Sequence, residues 1–165
     1  PGMVIMAPAD EDECRQMLYT GFRHRGPAAV RYPRGRGPGA DVQEKMTAIP
    51  LGKSITLRQG SRLAILAFGS MVEPCTAVAE KLDASLVNMR FVKPLDREAI
   101  LSAAGRHTHI VSVEENAIAG GAGRGDKVLL ASEGSSADIR NIGRGDDSIV
   151  HARGAEGVVQ AGLER

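Results

Sequence analysis

Short apolar runs alternate along this chain with segments of helical spacing, and that alternation restricts the fold more than any other feature. Residues 3 to 8, Leu63 to Phe68, Leu86 to Phe91 and Ile110 to Val113 each have strand length and a largely apolar content, and Ile139 to Ile142 reads as a further strand. Near-continuous apolar strands are the mark of a sheet covered on both faces, as parallel sheets are. Between them lie amphipathic helices. Aromatic residues make up only 3% of the chain and Trp is absent, so the core must be aliphatic.

The first run ends at Pro8. Asp10 then offers an N-cap, and Glu13, three residues on, completes a pattern like a capping box. Cys14, Met17, Leu18 and Phe22 follow at helical spacing, giving one apolar face. Gly26-Pro27 breaks the chain before a short strand at 28–32. This strand–helix–strand unit suits a parallel sheet but is too small to stand alone, and both of its edges are expected to be unpaired. Gly, Pro and charged residues then dominate with no apolar period, which reads as a linker. The expected organisation is therefore a remnant at 1–35, a linker at 36–50 and a second domain at 51–165. Residues 52–59 alternate like an edge strand. Ser70 and Glu73 suggest another capping box, ahead of Val72, Cys75, Val78, Ala79 and Leu82 on one helical face. Asp96 caps a helix bearing Ile100, Leu101 and Ala104, and residues 124–132 form the last helix. The fold class is α/β, a mostly parallel sheet with flanking helices.

A net charge of +1 gives no reason to expect a nucleic acid or an acidic membrane as partner. No apolar run approaches the ~20 residues of a membrane span. Cys14 and Cys75 have no metal-type spacing and read as buried thiols in a reducing compartment, and with no leader pattern at the start this points to the cytoplasm. The opening Pro1-Gly2 runs straight into a strand, as expected of a piece of a longer chain.

Several segments bear on chemistry. Gly120-Gly121-Ala122-Gly123-Arg124-Gly125 follows a strand and opens a helix, a setting in which backbone N–H groups can meet a phosphate. Asp126 occupies the last glycine position of the dinucleotide fingerprint, so a tight turn that permits close packing is the better reading. Adjacent Glu114 and Glu115 point to opposite faces of a strand and cannot act as a carboxylate pair, which favours a capping or interface role. His107 and His109 share a face if extended but lack a third ligand nearby. No catalytic group and no metal ligand is assigned. The segment from Arg23 to Arg36 carries Arg23, Arg25, Arg31, Arg34 and Arg36 without an acid. It reads as a solvated basic loop, as a weak nucleic-acid patch, or as the setting for one phosphate-binding arginine. Lack of interleaved aromatics disfavours single-strand binding. Arg34 lies just past a strand's carboxyl end, where open parallel sheets bind ligands, between rigid Pro33 and permissive Gly35.

The run VIMAPADEDECRQMLYTGFRHRGPAAVRYPRG resembles the end of the pyrimidine-binding domain of the 1-deoxy-D-xylulose-5-phosphate synthase family. LVNMRFVKPLD at 86–96, VEENAIAGGAG at 113–123 and NIG at 141–143 resemble that family's carboxy-terminal domain, which is transketolase-like. The resemblance covers nearly the whole chain. It implies an enzyme that decarboxylates pyruvate on thiamine diphosphate, held with Mg²⁺, and joins the two-carbon unit to glyceraldehyde 3-phosphate. The product serves isoprenoid, thiamine and pyridoxal synthesis, and the enzyme is a homodimer. The family's cofactor and catalytic motifs lie upstream of the segments matched here. The chain alone is therefore expected to be inactive and to bind no cofactor. Arg34, at the family's Pro-Arg-Gly position, is the one residue carried over, as the ligand of the aldehyde's phosphate.

The tail departs from the pattern. Arg144, Gly145, Ser148 and Ala152 stand where the family has Leu, Pro, Phe and Gly, whereas Asp146, Ile149 and His151 fit. Arg124 stands where Ser is common, which weakens a ligand role for the glycine loop. Two other readings compete: a non-catalytic dimerisation or interaction module, and the carboxy-terminal part of a 2-oxoacid dehydrogenase β subunit. The retained strand–helix–strand opposes the first, and RFVKPLD with VEEN opposes the second.

Overall fold

The computed structural model describes residues 2–144. The expectations for the tail at Gly145, Asp146, Ser148, Ile149, His151 and Ala152 lie outside the described residues. A five-stranded sheet has the order β3-β5-β4-β7-β8, from Ile55–Arg58 (β3), Leu63–Ala67 (β4), Ala84–Asn88 (β5), His109–Ala117 (β7) and Asp138–Arg144 (β8). Only β3 runs antiparallel, at one edge. Strand alternation sorts the side chains to two faces. Ile65, Ala67, Leu86 and Val113 meet helix α2 (Val72–Leu82) through Val72, Cys75 and Ala79. Leu66, Phe68, Val87, Met89 and Ile110 meet α3 (Arg97–Arg106) and α4 (Ala122–Ser132) through Ile100, Ala103, Ala122 and Leu130. The α/β class expected from the sequence is therefore observed.

A second sheet has the order β2-β1-β6, with β1 at Val4–Met6, β2 at Ala28–Val30 and β6 at Phe91–Lys93, and α1 (Glu11–Arg23) packs beside it. This corrects the expectation of two unpaired edges, because β1 pairs antiparallel with β6 through Ile5–Lys93 and Met6–Phe91. The run expected as a single strand at 86–91 divides to make this possible. Arg90 adopts a left-handed φ of +58°, and the Asn88 side-chain oxygen accepts from its N–H at 3.1 Å. The polypeptide leaves one sheet at Asn88 and enters the other at Phe91. Phe91 is fully buried against Val4, Met6 and Met17.

Helix α1 is rotated from the orientation expected. Met17 is buried, but Glu13, Gln16 and Thr20 turn inward with it, while Leu18 and Phe22 face solvent. Hydrogen bonding decides this rotation. Residues 39–49 form no regular element, yet they run along α1 as a strap. The Glu11 carboxylate accepts from Gly39 N and Ala40 N, Asp12 from Gln43 N, Gln16 from Thr47 N, and the Thr20 hydroxyl from Ile49 N. Cys14 is consequently half-buried, whereas Cys75 is buried and its thiol is pushed up to about 11 by desolvation.

Candidate functional site

A cleft of about 440 Å³ opens where β1, β2 and β4 end. Ala9 and Asp10 line it from the start of α1, Tyr32 and Arg36 from the segment after β2, and Ser70 and Glu73 from the start of α2. Three carboxyl strand ends thus converge on one space, the usual ligand position in open α/β sheets. Asp10 caps α1 as expected, accepting from Glu13 N at 2.8 Å. Glu13 returns a bond to Ala9 N, not to Asp10, and its carboxylate also receives Asn88 Nδ2 and Arg90 Nε, the latter at 2.6 Å. Glu13 therefore ties Ala9, which lines the cleft, to Asn88 and Arg90. The capping box expected at Ser70 and Glu73 does not form: a 3₁₀ turn at Gly69–Met71 precedes α2, and the Ser70 hydroxyl donates to Glu115 Oε2 at 2.9 Å.

Arg34 is exposed beside this cleft without lining it, and Arg36 is the arginine that does line it. Gly35 between them has a φ of +144°, a conformation open to glycine and costly elsewhere. Gly37 passes so close to Glu11 that an added Cβ would lie 2.5 Å from the carboxyl carbon. The other arginines do not converge on the cleft. Arg23, for example, sits at the far end of α1, 5.9 Å from the Tyr19 ring centroid. Arg36 carries no flanking signal like that of Arg34 in the sequence, because Gly35 and Gly37 on either side of it fix no direction. The Glu13–Arg90 pair, 77 residues apart in sequence, carries no local signal at all.

The glycine loop is filled from within. Glu114 is buried and accepts from Ala122 N at 2.9 Å and Gly123 N at 3.0 Å, so the α4 N-terminus already holds an anion. Ser112 donates to Asp126, which is fully buried. Burial raises the Asp126 carboxyl to about 7; the Ser112 hydrogen bond opposes that rise and the Glu114 charge adds to it. The residues here do not fit a diphosphate, since Glu114 occupies the N–H groups that would take one. Glu114 and Glu115 point to opposite faces, as their adjacency implies, toward α4 and toward Ser70. His107 is buried against Ser85 Oγ at 3.0 Å and His109 is exposed near Asp138, so the two do not share a site. Among the described residues no group of three or more His, Cys, Asp or Glu side chains could hold a metal. No described helix is long and apolar enough to cross a membrane.

Parallel strands, three flanking helices and an antiparallel edge define the class, and residues 52–163 match the C-terminal domain of transketolase. The chain belongs to that family. Its relatives include the 1-deoxy-D-xylulose-5-phosphate synthase of Chromohalobacter salexigens, 52% identical over 166 residues, covering 99% of this chain and 25% of that protein. The synthase of Photobacterium profundum is 56% identical over 146 residues, covering 88% of this chain and 24% of that protein. Among solved structures, one named "Split gene transketolase, inactive beta4 tetramer" superposes with a TM-score of 0.78 at 26% identity, covering 99% of this chain and 57% of that one. The family expected from the sequence motifs is thus the one found. The chain spans about a quarter of the length of the curated synthases it matches, at their carboxy-terminal part.

Proposed function

We propose that this chain is the carboxy-terminal portion of a 1-deoxy-D-xylulose-5-phosphate synthase. The observation that carries the reading is 52% identity across 99% of the chain to a protein of that name. The same identity favours the synthase over a 2-oxoacid dehydrogenase β subunit or a free-standing interaction module. In the complete cytoplasmic homodimer, thiamine diphosphate with Mg²⁺ supplies the carbanion chemistry that joins pyruvate to glyceraldehyde 3-phosphate, bound by residues outside this chain. This portion contributes recognition of the acceptor. The boundaries at 35 and 50 separate the end of the pyrimidine-binding domain from the carboxy-terminal domain.

Arg34 is the residue proposed to hold the acceptor's phosphate. Its guanidinium stands exposed next to a cleft at strand carboxyl ends, free to present two parallel donors to phosphate oxygens, which Lys cannot reproduce. A hydrogen bond to a charged group contributes about 1.5–3 kcal/mol, or roughly 10- to 150-fold in binding. In a complete synthase carrying these residues, Arg34→Ala should raise the KM for glyceraldehyde 3-phosphate by that order, and Arg34→Lys should restore it only in part. The KM for pyruvate should be unchanged. Steady-state kinetics with Arg36→Ala alongside provides the test: equal small effects of both alanines would remove the assignment.

A further inference from the structure

Arg34 stands on a segment with neither helix nor strand, between β2 and the strap along α1. Among the described residues, 32–38 make no hydrogen bond through their own backbone, so the segment is fixed from its two ends. At one end Arg31 N donates to Met6 O at 2.8 Å. At the other, Gly39 N and Ala40 N donate to Glu11 Oε1 and Oε2 at 3.0 and 3.1 Å. Gly35 and Gly39 both have a positive φ, +144° and +87°, so the backbone between the ends has little stiffness of its own. The Glu11 carboxylate sets its path. Gly37 closes onto that group so tightly that an added Cβ would meet the two oxygens at 2.5 and 2.8 Å.

We infer that Glu11 is the positioning residue for Arg34: it anchors the segment that presents this guanidinium to the acceptor's phosphate. The inference rests on the Arg34 assignment proposed above. Glu11 begins a well-formed helix, α1, and so offers a rigid base beside the cleft that it lines together with Gly35, Arg36 and Gly37. Both of its oxygens are taken by backbone N–H groups, which leaves the guanidinium groups of Arg34 and Arg36 to a ligand. An acid that instead paired with either arginine would compete with a phosphate for the same donors. Hydrogen bonds also keep the group ionised. Its own backbone N–H, then those of Ala40 and Gly39, hold the Glu11 carboxyl below the usual carboxylate range. A carboxylate accepts from both N–H groups at once, whereas an amide accepts from one and turns its own N–H groups toward the other.

The test uses a complete synthase carrying these residues. Glu11→Gln should raise the KM for glyceraldehyde 3-phosphate about 10-fold and leave kcat and the KM for pyruvate within roughly twofold. In an Arg34→Ala background the same substitution should add little, since a misplaced arginine and a missing one fail the phosphate alike. Gly37→Ala reaches the contact from the other side, its Cβ pushing the segment off an intact carboxylate. It should give the same split, and it keeps the test open if Glu11→Gln folds poorly. With D-glyceraldehyde as acceptor, which lacks the phosphate, neither substitution should change the KM. An unchanged KM for glyceraldehyde 3-phosphate in both variants, beside a raised one in Arg34→Ala, overturns the role of Glu11 and leaves the Arg34 assignment standing. Equal losses with pyruvate or D-glyceraldehyde, or Glu11 and Arg34 effects that multiply in full, also overturn it, because Glu11 would then act on the fold at large. An Arg34→Ala enzyme that behaves as wild type fails the Arg34 assignment itself, and the inference with it.

Discussion

The two sheets are held by different means. The five-stranded sheet buries apolar layers on both faces, whereas the β2-β1-β6 unit has one small cluster of Val4, Met6, Met17 and Phe91. What the smaller unit lacks in apolar area it makes up with hydrogen bonds: a strap along α1, and the carboxylate of Glu13 shared among Ala9, Asn88 and Arg90. A unit built this way depends on a few groups. Its loss should therefore be abrupt when one is removed, while the larger domain absorbs comparable changes.

The largest effect is expected from Phe91→Ala. Removing a buried Phe costs about 3–5 kcal/mol. Hydrogen exchange should show residues 4–30 and 91–93 losing protection while 63–88 and 109–117 keep theirs. Uniform loss across both regions would show that they unfold as one unit. Next comes a pH effect confined to the larger domain. Burial holds Asp126 up at about 7 in the folded chain against the 3.8 of an ordinary aspartate, so the folded state retains a proton that the unfolded state has released. Stability is then greatest below pH ~4 as far as this group is concerned, and falls as pH rises through ~7, by roughly 4 kcal/mol over the whole span. Asp126→Asn should flatten that decline in denaturant titrations between pH 5 and 8. An unchanged slope would mean that burial does not hold the proton.

Glu13→Ala should cost about 3 kcal/mol by leaving Arg90 half-buried without its carboxylate. The loss should again fall on residues 4–30, and Arg90→Ala combined with it should add little. Full additivity in that double-mutant cycle would show the two to be independent. Smallest is Thr20→Val, which keeps the shape but removes the hydroxyl that accepts from Ile49 N, for about 1 kcal/mol. Its signature is faster exchange at Ile49 without a change in the five-stranded sheet.

Periodicity made the larger domain legible. Runs such as Leu63 to Phe68 signal buried strands directly, and Asp10 and Asp96 mark helix starts through local capping, which needs no tertiary knowledge. Failures came where a distant partner decided the outcome. Leu18 and Phe22 look like core positions on any helical wheel, yet Gln16 and Thr20 have strap residues about thirty positions away to satisfy, and they take the inner face. Ser70 has the composition of a cap but serves Glu115. The division of 86–91 into two strands turns on Arg90, a residue with no intrinsic liking for a left-handed backbone. Pro33 and Gly35 single out Arg34 in the sequence, yet it stands beside the cleft and does not line it. Arg36 and the wall from Ser70 and Glu73 exist only once the strand ends have been brought together.

The turn at Met89-Arg90 also separates two notions of a boundary. In sequence, the natural place to cut this chain is the stretch before Gly52, which has neither helix nor strand. In space, a cut at Pro50 or Leu51 would spare the strap along α1 and both sheets, because β6 would remain docked on β1 and Arg90 on Glu13. A chain cleaved there should behave as a complemented pair, with the two pieces co-purifying and re-forming after separation. Swapping the first fifty residues for those of a relative would be governed by the match between Glu13 and Arg90 and between Met6 and Phe91, and hardly at all by the length of the joint.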